Sequence, residues 1–286
     1  MFQRLGQHFL KNKTKLKKIA DALDLKSGDI VIEIGPGHGE LTYEIKNKKP
    51  KIKIIAIERD KELARALSHR VADKDLEVIE GDALKEIKNQ IEKIKNTPHK
   101  LLRNYTGQAN QKSKIIENLK IVGNIPYYIT GYLFRVLGEL ESKPNIIVFT
   151  IQKEVAERIT AKPPHMNLLA ASIQFWAEPK IIGYISKKDF KPQPKVDSSM
   201  LKLEVRGERL EDSHTYYKFI RILFKQPRKT VVNNLVAGNR LQVTSDRGTI
   251  LKKLHKFNID PQSRPQNLTL AQIFALAKEF GQISVS

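Results

Sequence analysis

A strand that runs directly into a glycine-rich loop and then into a helix constrains the fold of this chain more than any other feature. Residues Ile30 to Ile34 are almost entirely apolar, as is typical of a strand buried on both faces. Gly35-Pro36-Gly37-His38-Gly39 follows at once, and helical spacing begins at Glu40. A buried strand joined to a helix by a short turn indicates an α/β fold with a parallel sheet.

The same alternation of strand and helix continues along the first part of the chain. Strand-sized apolar segments separated by helices predict a parallel sheet that is covered by helices on both faces. The predicted strands are 30–34, 53–58, 76–80, 119–123 and 146–151, followed by 180–185 and 200–205, and the predicted helices are 11–25, 40–46, 60–71 and 131–140.

The pattern changes near Arg206. From Tyr216 onward apolar residues recur at helical spacing, with glycine and proline at the breaks between segments. We therefore predict two domains, an α/β domain over 1–206 and a small helical domain over 207–286. Residues 88–118 are polar and basic, and we expect them to form a long, irregular and partly helical insertion between the third and fourth strands.

Net charge points to a polyanionic partner. The chain has 51 Lys and Arg against 31 Asp and Glu, a formal net charge of +20. A solubilising surface is the alternative, but the excess is spread along the chain, as a broad nucleic-acid surface requires. We single out Arg228, Lys229, Lys252 and Lys253 as candidates for phosphate contacts.

Several classes of protein are excluded or disfavoured by composition. The chain contains no cysteine, so disulfides, a thiolate nucleophile and Cys-ligated zinc are excluded, and no metal site is predicted. The longest apolar runs have the length of a strand rather than of a membrane span. The N-terminal residues lack the apolar core of a signal peptide, so we expect a cytoplasmic protein.

Asn124-Ile125-Pro126-Tyr127 follows an apolar strand and predicts a clamp for a planar amine. The Asn124 side-chain carbonyl and the Ile125 backbone carbonyl can both accept hydrogen bonds from one NH2 group. Pro126 fixes the turn, and Tyr127 offers a ring on which a nucleobase can stack. An ordinary turn would have the same sequence, so the interpretation depends on the neighbouring motifs.

The glycine loop and two acidic residues predict a nucleoside cofactor. A dinucleotide fingerprint would place glycine at position 40, where this chain has Glu40, so the loop around Gly35 and Gly37 better suits S-adenosylmethionine, with Glu33 near its cationic end. Glu58 ends the second strand, where a carboxylate accepts both ribose hydroxyls. Asp82 follows the third strand, where it would accept from the cofactor's adenine amine.

In combination these motifs resemble the ribosomal RNA adenine dimethyltransferases. The resemblance spans nearly the whole chain and rests on Gly6-Gln7-His8-Phe9-Leu10, Glu33-Ile34-Gly35-Pro36-Gly37, Gly81-Asp82-Ala83, Gly123-Asn124-Ile125-Pro126-Tyr127 and Phe190-Lys191-Pro192-Gln193-Pro194-Lys195-Val196-Asp197-Ser198. It implies a Rossmann-like class I S-adenosylmethionine-dependent methyltransferase domain joined to a small C-terminal all-α domain.

The resemblance also implies roles for individual residues. His8 and Leu10 would lie in an N-terminal segment that closes over S-adenosylmethionine, although the family usually has Asn where this chain has His8. Tyr127 and Phe190 would sandwich a flipped adenine. Arg228-Lys229-Thr230 and the segment from Arg264 to Leu270 resemble the branch that dimethylates two adjacent adenines near the 3′ end of small-subunit RNA. An immature 30S subunit is then the expected partner, and the lack of an obvious zipper favours a monomer.

Other functions remain open at this point. The main alternative is the branch that methylates large-subunit RNA, and DNA adenine could be a minor substrate. A ribosome-assembly factor with vestigial catalysis would be expected to have lost some of the site residues, and all of them are present. A nicotinamide oxidoreductase is disfavoured by Glu40 and by the amine clamp.

Overall fold

The structure is a computed structural model that describes residues 7–48, 51–71, 73–96, 115–206, 213–239 and 246–281. These residues form two compact units. One unit contains Met1–Ala156 and Glu178–Gly207, and the other contains Glu157–Ala177 and Glu208–Ser286.

The first unit is built on strands and helices that alternate in sequence, as predicted. In chain order they are β1 (Phe9–Leu10), α1 (Lys13–Ala22), β2 (Ile30–Ile34), α2 (Glu40–Lys48), β3 (Lys53–Glu58), α3 (Lys61–Arg70), β4 (Leu76–Glu80), α4 (Ala83–Asn96), β5 (Ile115–Asn124), α5 (Thr130–Glu139), β6 (Lys143–Gln152), α6 (Lys153–Ile159), β7 (Ala177–Ile185), β8 (Phe190–Lys191) and β9 (Ser198–Val205). A short 3₁₀ helix, Tyr127–Ile129, precedes α5.

Seven of these strands form one sheet in the order β4-β3-β2-β5-β6-β9-β7. β2 lies in the middle of the parallel part, pairing with β3 on one side and β5 on the other, and all five of its residues are buried. β9 runs antiparallel to β6, so the sheet is mixed rather than wholly parallel. The chain leaves β2 for β3 and β4, then crosses to β5 on the opposite side. This reversal between β2 and β5 is where α/β sheets bind ligands.

The N-terminal segment is joined to the proline-rich loop by a second, two-stranded sheet. β1 pairs antiparallel with β8, so that Phe9 faces Lys191 and Leu10 faces Phe190. The backbone N–H of Lys11 donates to Asp189 O at 2.9 Å. Two segments that are far apart in sequence are therefore held together beside the carboxyl ends of the strands.

The second unit is helical: α7 (Leu168–Gln174), α8 (Ser213–Leu223), α9 (Val231–Asn239), α10 (Arg247–Lys256) and α11 (Leu270–Gly281). Phe175 stacks on Tyr216 with ring centroids 4.0 Å apart, and the Tyr216 hydroxyl donates to Ala171 O at 3.0 Å. The predicted boundary at residue 206 is therefore incomplete. Residues 157–177 group with the C-terminal helices because their apolar side chains pack against α8.

The predicted insertion over 88–118 is helical at its start, as expected, and its end belongs to a strand. Residues 88–96 are the last nine residues of α4, and 115–118 begin β5, so the ends of the segment are regular. The remaining part, 97–114, lies outside the described residues. No helix in the described parts of the chain combines the length and apolar character needed to cross a lipid bilayer.

Candidate active site

A cavity of about 190 Å³ lies at the carboxyl ends of the parallel strands, at the reversal between β2 and β5. Its lining comes from the loop after β2, the ends of β3, β4 and β5, the N-terminal segment and β8. Three of the acidic or amide residues predicted from the strand ends, Glu58, Asp82 and Asn124, line it together. The loops after β2, β3, β4 and β5 thus meet at one concave site.

Gly35 and Gly37 form the floor of the cavity next to β2. Both have positive φ, +62° and +58°, a region that L side chains rarely adopt. A Cβ on Gly37 would lie 2.7 Å from the Phe9 ring, so the loop also has no room for a side chain there. The prediction that these glycines bring backbone to the site agrees with their place in the lining.

Glu58 presents a carboxylate that is already held on both oxygens. Its Oε2 accepts from the Gly37 N–H at 3.0 Å, and its Oε1 accepts from the Asp60 N–H at 2.9 Å. Burial raises the pKa of Glu58, and these two hydrogen bonds oppose that rise. Each oxygen keeps a second lone pair, so the fixed carboxylate suits a vicinal diol such as a ribose.

Asp82 follows β4 and is fixed by the start of α4. Its Oδ1 accepts from the Leu84 N–H at 2.9 Å, and its backbone carbonyl accepts from the N–H groups of Lys85 and Glu86. The side chain is only partly exposed and lines the cavity. Its other oxygen is therefore the one placed to accept from an amine in the cavity.

Glu33 and Leu10 do not line the cavity, which corrects two predictions. Successive side chains of a strand point to opposite faces, so Ile34 reaches the cavity and Glu33 points the other way. The Glu33 carboxylate accepts from the Thr42 hydroxyl of α2 at 2.7 Å, and burial raises its pKa to about 7. Leu10 is buried in a hydrophobic cluster with Phe190.

Asn124 is held in one orientation by the N-terminal segment. Its Nδ2 donates to the backbone carbonyl of His8 at 2.6 Å. Because a carbonyl can only accept, the amide nitrogen must face His8, and Oδ1 is left as the acceptor. In the described residues no hydrogen bond is made to Asn124 Oδ1 or to the Ile125 carbonyl. Both acceptors of the predicted clamp are therefore available.

Aromatic residues close the cavity around this clamp. The Tyr127 hydroxyl shares a hydrogen bond of 2.9 Å with Ser198 Oγ, and burial raises the pKa of Tyr127. Phe190, at the start of β8, also lines the cavity and is buried. His8 Nδ1 donates to Pro192 O at 2.8 Å, which links the N-terminal segment to the proline-rich loop. The Pro126 φ of −56° sets the turn between clamp and ring.

Sequence reasoning missed three residues of this site. Phe9 lines the cavity and lies against Gly37, Ser198 anchors Tyr127, and Tyr128 lines the mouth. Each lies in or beside a motif already singled out, but only the pairing of β1 with β8 and the course of the 3₁₀ helix show where its side chain points.

The candidate phosphate contacts lie in the second unit and differ in their surroundings. Arg228 and Lys229, in the turn between α8 and α9, are exposed, and so is Lys252 on α10. Lys253 is partly buried instead: its ammonium donates to Glu279 O at 3.0 Å and lies 4.4 Å from the centre of the Phe280 ring. Burial lowers the pKa of Lys253. Its structural contacts with α11 make it the least available of the four.

Comparison with known proteins gives this geometry a family. The family model described as ribosomal RNA adenine dimethylase matches residues 2–281. The chain belongs to that family. It is accordingly an S-adenosylmethionine-dependent rRNA methyltransferase, as the sequence predicted.

Similar proteins cover the chain almost from end to end. The "Ribosomal RNA small subunit methyltransferase A" of Dehalococcoides mccartyi is 33% identical over 96% of this chain and 87% of its own length. The protein of the same name from Crocosphaera subtropica is 34% identical over 98% of each chain.

Solved structures agree with the fold. A dimethyladenosine transferase from Plasmodium falciparum superposes with a TM-score of 0.74 and is 26% identical, covering 96% of this chain and 98% of that one. The 23S rRNA methyltransferase ErmE has a TM-score of 0.70 at 21% identity, over 95% and 99% of the two chains, and it supports the fold alone. The predicted class I methyltransferase fold is confirmed.

Proposed function

We propose that this protein transfers methyl groups from S-adenosylmethionine to the N6 atoms of two adjacent adenines in the 3′-terminal hairpin of 16S (small-subunit) rRNA. The substrate is an immature 30S subunit, the enzyme acts as a monomer in the cytoplasm, and the modification belongs to ribosome biogenesis. The observation that supports the proposal is the Asn124 amide in the cavity lining, whose Nδ2 is held by the His8 carbonyl, so that Oδ1 is left as an acceptor beside Ile125.

The polar groups that line the cavity suit S-adenosylmethionine. Glu58 suits the ribose diol, Asp82 suits the adenine amine, and the backbone of Gly35 and Gly37 allows close approach. Neither glycine could be replaced without strain, because both have positive φ. When bound there, S-adenosylmethionine supplies an activated methyl group next to the Asn124 clamp.

Asn124 and Ile125 prepare the target amine for reaction. An exocyclic amine is a weak nucleophile because its lone pair is delocalised into the ring. In the unmethylated adenine, two acceptors that hold both N–H bonds favour a pyramidal nitrogen, whose lone pair then points away from the ring. Each methylation releases one proton from N6, so one N–H remains for one acceptor in the second transfer. The contribution of the chain is therefore positioning more than base strength. As a neutral side chain, Asn124 achieves this without burying a negative charge.

Tyr127 and Phe190 hold the adenine that presents this amine. A base inside a helix or a stack cannot reach the cavity, so the target nucleotide must leave its stack. Its face then lies between two rings, one fixed through Ser198 and the other through the pairing of β8 with β1. The mostly apolar surroundings suit a reaction in which the positive charge of the methyl donor disappears.

The names of the relatives favour small-subunit RNA as the acceptor. The test is methyl transfer from labelled S-adenosylmethionine to unmethylated 30S particles, 50S particles and free rRNA, with Asn124→Ala as the inactive control. Label in 30S particles alone is expected, whereas label in 50S particles would contradict the proposed substrate. Steep loss of RNA binding with added salt is also expected, because phosphate contacts release counterions.

A further inference from the structure

Two exposed tyrosines have no role assigned above: Tyr128, which lines the cavity, and Tyr132, which lies four residues further along the chain. Tyr128 is 61% exposed and Tyr132 is 55% exposed, in a chain whose large apolar side chains are mostly buried. Tyr128 also contributes to the cavity lining, so this exposed surface is continuous with the adenine site. The hydroxyl of the neighbouring Tyr127 shares a hydrogen bond with Ser198 Oγ, whereas the Tyr128 side chain is exposed.

The spacing of the tyrosines favours a common face at the start of α5. They are four residues apart, across the join between the 3₁₀ helix and α5, where residues four apart are neighbours on the helix surface. The opposite face of α5 packs into the core through Leu133, Phe134 and Leu137. The tyrosine face therefore has no part in holding α5 to the sheet.

Gly131 lies between the two tyrosines and leaves this face bare. A Cβ there would have no atom within 4 Å, and its φ is not in the positive region, so the fold does not require glycine at this position. Glycine is less favourable than alanine inside a helix. An exposed glycine next to the tyrosines instead leaves the backbone open to the close approach of a ligand.

The charges around this face suit a nucleic acid. Arg135, one turn further along α5, is exposed, and Arg59 is an exposed residue of the cavity lining itself. Rings that stack bases, combined with cationic groups that contact phosphates, form the usual platform for single-stranded nucleic acid.

We propose that Tyr128, Gly131 and Tyr132 form a stacking subsite for the unpaired nucleotide next to the target adenine. The inference rests on the proposed function, because the subsite is defined by its position next to the adenine in the cavity. A base leaving its stack exposes the face of its neighbour in the strand. The tyrosine rings cover that face and so hold the strand in register with the Asn124 clamp. They position the substrate and do not touch the reacting atoms.

The test compares Y128A, Y132A and G131L with Y128F and Y132F, which keep the rings. Tyr184→Ala is the matched control, since Tyr184 is 50% exposed and does not line the cavity. Two quantities are measured: the KM for unmethylated 30S particles in the transfer assay, and the Kd for a fluorescein-labelled single-stranded oligoadenylate by anisotropy. Thermal melting with and without S-adenosylmethionine checks the fold and the cofactor site.

Each alanine variant should raise KM and Kd about tenfold, as expected for the loss of one stacked base. The phenylalanine variants and Y184A should behave as wild type, and G131L should weaken RNA binding without lowering the melting temperature. Equal behaviour of Y128A, Y132A and wild type would overturn the proposal. So would an equal loss in Y184A, or a wild-type dimer that Y132A dissociates. If wild type transfers no methyl group, the proposed function fails, and the oligoadenylate Kd still decides the stacking subsite.

Discussion

Replacing the buried Glu33 with glutamine should stabilise the protein at neutral pH and barely change it in acid. Glu33 is 1% exposed, and burial raises its pKa from an ordinary 4.5 to about 7, helped by the negative charges of Glu58 and Glu40. Between these two pH values the folded chain holds a proton that the unfolded chain releases. The free energy of unfolding of the wild type therefore falls as the pH rises from 4.5 towards 7.

The size of the effect follows from the two pKa values. The raised pKa of Glu33 lowers the free energy of unfolding, relative to its value in strong acid, by about 1 kcal/mol at pH 5 and about 3 kcal/mol at pH 8. Glutamine carries no charge and keeps an oxygen that accepts from the Thr42 hydroxyl. The difference in stability between Glu33→Gln and wild type should thus grow by about 2 kcal/mol between these pH values.

Urea denaturation of both proteins at pH 5 and pH 8 measures this difference directly. Glu92→Gln, at an exposed position on α4, is the control and should show no such change with pH. A difference between Glu33→Gln and wild type that stays constant from pH 5 to pH 8, or shrinks, would refute the reasoning. Cofactor affinity should change little, because Glu33 does not line the cavity.

Three further substitutions test two residues of the site and one buried lysine outside it. Asn124→Ala should lower kcat about 10²- to 10³-fold in the transfer assay. Because the substitution also removes the hydrogen bond to the His8 carbonyl, cofactor binding measured by calorimetry should weaken by about 1 kcal/mol. An unchanged kcat would remove Asn124 from the mechanism. Glu58→Ala should abolish the rise in melting temperature with S-adenosylmethionine, and a retained rise would contradict its ribose contact. Lys143→Met should cost about 3 kcal/mol in urea denaturation, because the buried ammonium holds the last carbonyls of α5, and a loss under 1 kcal/mol would mean that water replaces it.

The parallel core of the fold could be predicted because burial on both faces leaves a readable apolar run. β2, β3 and β4 match their predicted bounds, and Asp60 caps α3 by accepting from the N–H groups of Glu62 and Leu63. β5 is longer than predicted, since Glu117 and Asn118 interrupt its apolar pattern where its register with β6 shifts. The start of β6 was also missed, because a lysine such as Lys143 reads as surface until its three carbonyl partners are known.

The site residues that follow the ends of strands could be predicted from the sequence. The contacts that depend on the pairing of β1 with β8 could not. Glu58, Asp82 and Asn124 meet because the carboxyl ends of parallel strands share one edge. The pairing of β1 with β8 has no local signal, so the contact between Asn124 and His8 and the role of Phe9 were not foreseen. The grouping of residues 157–177 with the C-terminal helices has no local signal in the sequence either, so it was not predicted.

The proposed chemistry makes a specific product. Unmethylated 30S particles would be incubated with the enzyme and labelled S-adenosylmethionine, and the rRNA would then be digested to nucleosides and separated. The account predicts N6,N6-dimethyladenosine at two adjacent positions near the 3′ end of the small-subunit RNA, formed about 10²- to 10³-fold more slowly with Asn124→Ala. Label on any other atom or nucleoside, or tight 30S binding with no label, would contradict it.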